Sequence, residues 1–88
     1  MTSKKDSFGH QYLDVENIRV TFIPAEDRKP NKDWAGSDVI RIQAYKGEKD
    51  NALHMGAEIP IKSPEIFGRC IAAICQVYVE SKKIASHP

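Results

Sequence analysis

The chain has 88 residues, of which 41% are hydrophobic and 28% are charged. A chain of this length forms one small domain with a thin core, because it buries only about 60–65% of its unfolded surface on folding. Thirteen Lys and Arg against twelve Asp and Glu give a formal net charge of +1, which excludes a strongly basic protein held to nucleic acid by net charge alone. No stretch approaches the ~20 apolar residues of a membrane span, so we expect no membrane partner. The two cysteines show neither CxxC spacing nor disulfide density, which predicts a cytoplasmic location.

The N-terminal segment, residues 1–13, mixes charges with isolated apolar residues, which predicts a flexible arm or one short edge strand. The single folded domain is expected over residues 14–84. Its first strand spans Asp14 to Ile23, where β-branched residues are dense and apolar positions alternate. Pro24 ends that strand, and the polar residues 24–38 predict a long loop with one large aromatic side chain, Trp34.

The second and third strands follow this loop. Val39 to Lys46 alternates cleanly, and residues 46–51 supply a charged hairpin turn. The apolar series from Leu53 to Ile61 then predicts the next strand, in which Pro60 marks an edge or the end of pairing. Together these segments predict an antiparallel β-meander of three to four strands.

A long helix closes the chain. Ser63 is a suitable N-cap, Pro64 suits the first helical position, and Glu65 lies near the positive end of the helix dipole. The helix is expected to run to about Lys83, and residues 85–88 are expected to fray. The predicted fold is therefore α+β: the meander, followed by one long C-terminal helix packed on one sheet face.

The helix is apolar over more of its circumference than one sheet can cover. Beyond the face expected to meet the sheet, a second flank carries small or apolar residues at three- and four-residue spacing: Gly68, Ala72, Cys75 and Val79. This flank predicts a homodimer interface with the same helix of a second copy. Alternatively, the N-terminal arm or the long loop covers it.

The residues favour binding over catalysis. His10, His54, His87 and the two cysteines share no recognised metal-ligand spacing, so no metal site is expected. The sequence contains no nucleophile elbow, no glycine-rich phosphate loop and no convergent polar site, so we expect neither an enzyme nor a cofactor.

One face of the predicted sheet has the composition of a nucleic-acid-binding surface. If the even-numbered positions of the first two strands pack under the helix, the odd-numbered positions gather cations, amides and an aromatic ring on the open face. Phosphates are bound by cations, and bases stack on aromatic or guanidinium planes. The candidate nucleic-acid-binding residues are Arg19, Arg41, Tyr45 and Lys46 with the loop residues Arg28, Lys29, Lys32 and Trp34. The alternative is an ordinary antiparallel sheet with its polar face in water.

The order of these elements resembles a known family. The run from Val39 to Tyr45, the charged hairpin and the segment from Ala57 to Phe67 are similar to the strand, turn, strand and capped helix of the single-stranded-DNA-binding transcriptional coactivators (positive cofactor four). The purine-rich-element-binding repeats and the Whirly proteins have a similar plan. The resemblance implies a homodimer that binds exposed bases with curved sheets and hairpins. Our leading hypothesis is a homodimeric module for single-stranded nucleic acid; the alternative is a small protein-interaction or inhibitor module, encoded by a phage or mobile element.

Overall fold

The computed structural model describes residues 2–47 and 50–86 of the chain. Six strands precede one helix: β1 (Lys4–Lys5), β2 (Gln11–Val15), β3 (Ile18–Ile23), β4 (Asp38–Gly47), β5 (Asp50–Leu53), β6 (Ala57–Ile61) and α1 (Pro64–Ser86). A short 3-10 turn, Ala25–Asp27, lies in the loop between β3 and β4. The α+β class and the meander followed by one C-terminal helix are thus confirmed, with more strands than predicted. The tip of the predicted hairpin turn (Glu48, Lys49) and the end of the predicted tail (His87, Pro88) lie outside the described residues.

All strand pairs are antiparallel, and the sheet order follows the chain from β1 to β5, with β6 also paired to β4. The sheet takes in β1 and part of β2, which come from the segment for which the sequence predicted either a flexible arm or an edge strand. At the centre of the sheet, Thr21 lies opposite Arg41 and Arg19 lies opposite Gln43. Directly opposed residues share a face, so this register brings the polar positions of β3 and β4 together.

The apolar series predicted as one strand is divided into β5 and β6, which pair with different parts of β4. Between them, the amide of His54 donates to the carbonyl of Ala44 at 2.8 Å. A Cβ atom on Gly56 would overlap the carbonyl oxygen of Ile42 and lie 2.6 Å from its carbonyl carbon. The interruption therefore requires glycine at position 56, because a backbone segment passes there directly over β4.

The most deeply buried residues lie on the odd-numbered face of β3 and β4. Thr21, Ile23 and Val39 are buried, whereas the even-numbered apolar positions of both strands are only half-buried. The loop between β3 and β4 folds back on the odd-numbered face: the amide of Ala25 donates to Asp38, and Arg28 reaches Glu58 on β6. The small core of the single chain thus lies beneath this loop.

Helix α1 begins as predicted, with the Ser63 hydroxyl accepting the amide of Ile66 at 3.1 Å. Its position differs from the prediction, because it meets the sheet beside β6 and leaves the even-numbered face open. Only Phe67 among its described side chains is half-buried; the others are exposed. Two residues join β6 to α1, and Pro64 restricts Ser63 to extended backbone. No described helix is long and apolar enough to cross a membrane.

Candidate nucleic-acid interface

A cleft of about 520 Å³ opens on the polar face of the sheet. Its walls come from β3 and β4, from the loop after β3 and from the turn between β1 and β2. Five of the eight predicted nucleic-acid-binding residues line it: Arg19, Arg28, Lys29, Lys32 and Arg41. The acidic residues in the lining are Asp6 and Asp27. Folding therefore gathers five basic and two acidic side chains in the lining of one cleft, and two further acids, Asp14 and Glu58, pair with its arginines.

Two arginines of the cleft are held by one carboxylate. Arg28 donates from Nη1 and Nη2 to the two oxygens of Glu58, at 3.0 and 3.2 Å. Arg41 donates from Nε and Nη2 to Oε2 of Glu58, at 3.0 and 2.9 Å. These hydrogen bonds, from Arg28 first and then from Arg41, lower the pKa of Glu58 below its ordinary value. Both guanidinium groups are thereby fixed in place with their charges partly compensated.

The Arg28 side chain is the more enclosed of the two. Only 5% of it is exposed. Its Nη2 also donates to the carbonyl oxygen of Asp33 at 2.6 Å, which ties the loop to itself, while its buried Nε has no partner among the described residues. Arg41 is 35% exposed and makes no described hydrogen bond through Nη1. Arg41 therefore keeps a donor for a ligand, whereas Arg28 chiefly fastens the loop over the sheet.

Arg19 belongs to a separate cluster. It donates to both oxygens of Asp14, at 2.8 and 3.1 Å, and to the hydroxyl of Tyr45 at 2.6 Å. Its guanidinium carbon also lies 3.9 Å from the centre of the Tyr12 ring. The hydrogen bonds between Arg19 and Asp14 raise the pKa of the arginine and lower that of the carboxyl. Partial burial, followed by the hydrogen bond to Asp14, raises the pKa of the Tyr45 hydroxyl. Arg19 and Tyr45 are thus largely occupied with one another.

The lysines of the loop are the available cations of the cleft. Lys29 and Lys32 are both exposed, and neither forms an ion pair with any described residue. The three remaining predicted residues do not line the cleft: Tyr45, which belongs to the Arg19 cluster, Trp34, in the same loop and 49% exposed, and Lys46, exposed near the end of β4. An adjoining depression of about 290 Å³ is lined by Arg28, Lys32, Arg41, Gln43, Met55, Gly56 and Glu58.

Sequence reasoning missed three residues that define this site: Phe8, His10 and Glu58. Phe8 and His10 line the cleft, although their segment was assigned to an arm or edge strand. Glu58, for which the sequence pattern indicates no role, joins two arginines from different elements. The register of β4 and β6 places Glu58 directly opposite Arg41, so this ion pair can be predicted only once the register is known.

The flank predicted for dimerisation is uncovered in the single chain. Gly68, Ala72, Cys75 and Val79 are all exposed, and a Cβ atom on Gly68 would meet nothing within 4 Å. The alternative, in which the arm or the long loop covers this flank, therefore does not hold for the described part of the chain. Both cysteines are free and exposed.

Comparison with protein-family models, with curated proteins and with solved structures found no match to this chain. The resemblance to the single-stranded-DNA-binding coactivators therefore stays a prediction from the sequence pattern. Among the described residues, no group of three or more His, Cys, Asp or Glu side chains is placed to hold a metal ion. The cleft and the exposed apolar surfaces are therefore the features that bear on function.

Proposed function

We propose that the protein is a homodimeric, non-catalytic module that binds single-stranded nucleic acid in the cleft on the polar sheet face. The observation that carries the proposal is the collection of five Lys and Arg side chains from two strands and a loop in one cleft, on a chain of net charge +1. A nearly neutral protein can bind a polyanion only where basic side chains are clustered on its surface.

The residues of the cleft have different roles in this proposal. Lys29 and Lys32 contact phosphates, because they carry exposed charges that no described acid neutralises. Arg41 contributes its remaining donor. Arg28 holds the loop that carries both lysines, through its ion pair with Glu58. Arg19 supports the sheet face as part of the cluster with Asp14 and Tyr45.

The ligand is proposed to be single-stranded because the cleft is a small, sheet-floored depression with polar groups on its floor. Gln43 and Thr21 line the floor beside the cations. Amide and hydroxyl groups can bond to base edges, and those edges are accessible where a strand is unpaired.

A second copy is proposed because the single chain leaves far more surface exposed than a compact monomer does. The chain exposes 7293 Å², against about 5,200 Å² expected for a compact monomer of its mass. Its radius of gyration is 15.4 Å, against about 12 Å for a compact chain of this length. The excess of about 2,000 Å² exceeds the roughly 800 Å² that each partner buries in a standard interface.

The excess surface is apolar and lies in two places. On the helix, Ile74, Val77 and Tyr78 are 59%, 65% and 64% exposed. On the sheet, the even-numbered apolar face is only half-buried. A dimer in which the predicted helix flank meets its own copy would bury that flank, including Val79, which is 48% exposed in the single chain. Ile74, Val77 and Tyr78 lie on other sides of the helix, where they could cover an open sheet face of the partner.

The binding proposal is tested by fluorescence anisotropy of labelled single-stranded oligonucleotides across a salt series. Binding is expected to weaken linearly on a log–log scale, with a slope of about −0.7 per phosphate contacted. The double variant Lys29→Gln/Lys32→Gln should make that slope shallower by about 1.4. Lys62→Gln, which removes an exposed lysine that does not line the cleft, is the matched control and should leave the slope unchanged.

An absence of binding at low salt contradicts the nucleic-acid proposal. Equal losses for the double variant and the Lys62 control would contradict the assignment to the cleft. In the first case the alternative is a protein-interaction or inhibitor module, which uses the same cleft or the exposed helix to contact another protein.

The dimer is tested by light scattering at micromolar concentration. Wild type is expected at twice the monomer mass, and Ala72→Glu should lower that mass or destabilise the fold by burying a charge in the interface. Gln76→Glu adds the same charge within the polar stripe and should leave the mass unchanged. A monomeric wild type would contradict the homodimer, and an unchanged mass for Ala72→Glu would contradict this placement of the interface.

A further inference from the structure

The turn between β1 and β2 is hydrogen-bonded around one carboxylate. Asp6 Oδ1 accepts the amides of Phe8 and His10, both at 2.9 Å. The main chain closes the same turn, with the amide of Gly9 bonded to the carbonyl of Asp6 at 3.0 Å. Gly9 has a φ of +84°, which glycine adopts without strain. The direction in which Phe8 projects is therefore fixed by the backbone.

This turn is attached to the opposite wall of the cleft. His10 Nε2 lies 3.1 Å from Oδ2 of Asp27, in the short 3-10 turn of the loop that carries the lysines. The His10 side chain is only 15% exposed. Its ring is roughly parallel to the ring of Phe8, with centroids 6.2 Å apart and planes inclined by 25°. The imidazole is thus the aromatic neighbour of the phenyl ring.

Phe8 itself is 82% exposed, although it lines the cleft. One side of its ring faces His10, and the ring is otherwise open to solvent. A large apolar ring exposed to water contributes nothing to the stability of the single chain, whereas it can bury apolar area against a flat partner. Lys29 and Lys32 in the same cleft attract an anion. A flat group joined to anionic groups is the chemical description of a nucleotide.

We infer that Phe8, beside His10, is a stacking platform for one base of a single-stranded nucleic acid whose phosphates lie at Lys29 and Lys32. The inference rests on the proposed function and adds a binding residue and a ligand requirement to it. Affinity depends on an unpaired base as well as on phosphates. Stacking accepts any base, so it adds affinity with little sequence preference.

The experiment compares two labelled probes of equal length, a short oligothymidylate and the same backbone without bases. Phe8→Ala should weaken binding of oligothymidylate between about 5- and 150-fold, the range for loss of one stacked base. The same variant should leave binding of the abasic probe, and the salt slope for both probes, unchanged. Lys29→Gln should weaken binding of both probes and make both slopes shallower.

Two further variants separate stacking from general apolar contact. Phe8→Trp should retain or increase affinity for oligothymidylate. Compared with wild type, whose single indole is Trp34, the variant should show additional fluorescence that is quenched by oligothymidylate and not by the abasic probe. Phe8→Leu keeps apolar volume without a ring and should bind as weakly as Phe8→Ala. Circular dichroism spectra matching those of wild type establish that all three variants are folded, as expected for a side chain this exposed.

If wild type binds oligothymidylate but Phe8→Ala binds it equally well, the stacking inference is overturned while the proposed function stands. If Phe8→Ala weakens both probes equally, the residue shapes the cleft instead of stacking, and the inference is again overturned. If wild type binds neither probe at low salt, the proposed function fails and takes the inference with it.

Discussion

Replacing Glu58 by Gln is the sharpest test of how the cleft is held together. The substitution keeps the shape of the side chain but removes the charge that joins Arg28 of the loop to Arg41 of β4. Four charge-assisted hydrogen bonds, of 2.9 to 3.2 Å, end on this carboxylate. A glutamine offers one acceptor oxygen in its place and turns an N–H donor group toward guanidinium donors.

The expected loss of stability depends on how far Glu58 and its two arginine partners are removed from water. Removing one member of a buried ion pair costs about 3–5 kcal/mol, because the other charge stays buried and unpaired. Arg28 meets that condition at 5% exposure, whereas Glu58 and Arg41 are 26% and 35% exposed and are partly screened. We therefore expect a loss of about 2–3 kcal/mol in the free energy of unfolding. For a domain of this size that lowers the melting temperature by about 10–20 °C.

The measurement is thermal and urea unfolding followed by circular dichroism, at one fixed protein concentration because any dimer makes stability concentration-dependent. Glu26→Gln is the matched control: it removes the same charge from an exposed side chain with no described partner, and should change stability by less than about 0.5 kcal/mol. A loss below about 0.5 kcal/mol for Glu58→Gln would refute the argument that this carboxylate fastens the loop.

The pH dependence provides a second check. The pKa of Glu58 is lowered in the folded state, so its contribution to stability is fully present above the ordinary value of about 4.3 and is lost as pH falls through the lowered folded value. The stability difference between wild type and Glu58→Gln should therefore be constant near neutral pH and shrink in acid. A difference that grows as pH falls would have the wrong sign.

Two other substitutions probe the fold that presents the cleft. Gly56→Ala should lower the free energy of unfolding by about 3 kcal/mol or more, because the added Cβ would overlap the Ile42 carbonyl. Urea unfolding measures this loss. A loss below about 1 kcal/mol would mean that the chain between β5 and β6 moves aside freely. Ser63→Ala should lower the free energy of unfolding by about 1 kcal/mol, because it removes the hydroxyl that accepts the Ile66 amide. Ser63→Asp can still cap the helix and should retain most of the stability. Equal losses for the two variants would contradict the capping role.

Sequence patterns predicted the local features of this structure. Alternation in β3 and β4 predicted two strands and their polar and apolar faces, because side chains on a strand point alternately to opposite sides. Ser63 and Pro64 predicted the start of the helix, because capping depends on neighbours within one turn. Local patterns did not predict the role of Gly56, because that role arises only from β4 passing beneath it.

The sequence by itself thus determined the α+β order of elements, the alternation of polar and apolar positions along the strands and the helix cap, all of which rest on interactions between residues a few positions apart. It did not determine which strand face is buried: the loop after β3 covers the odd-numbered face that was expected to be open, and the even-numbered face is only half-buried. Tertiary structure alone decided that Arg28 meets Glu58 thirty positions away, that the Asp6–His10 turn reaches Asp27, and that the helix leaves a sheet face open. Those contacts depend on strand register and on how a long loop closes. Loop closure is governed by chain entropy and by burial over the whole fold, and a local pattern carries no record of either.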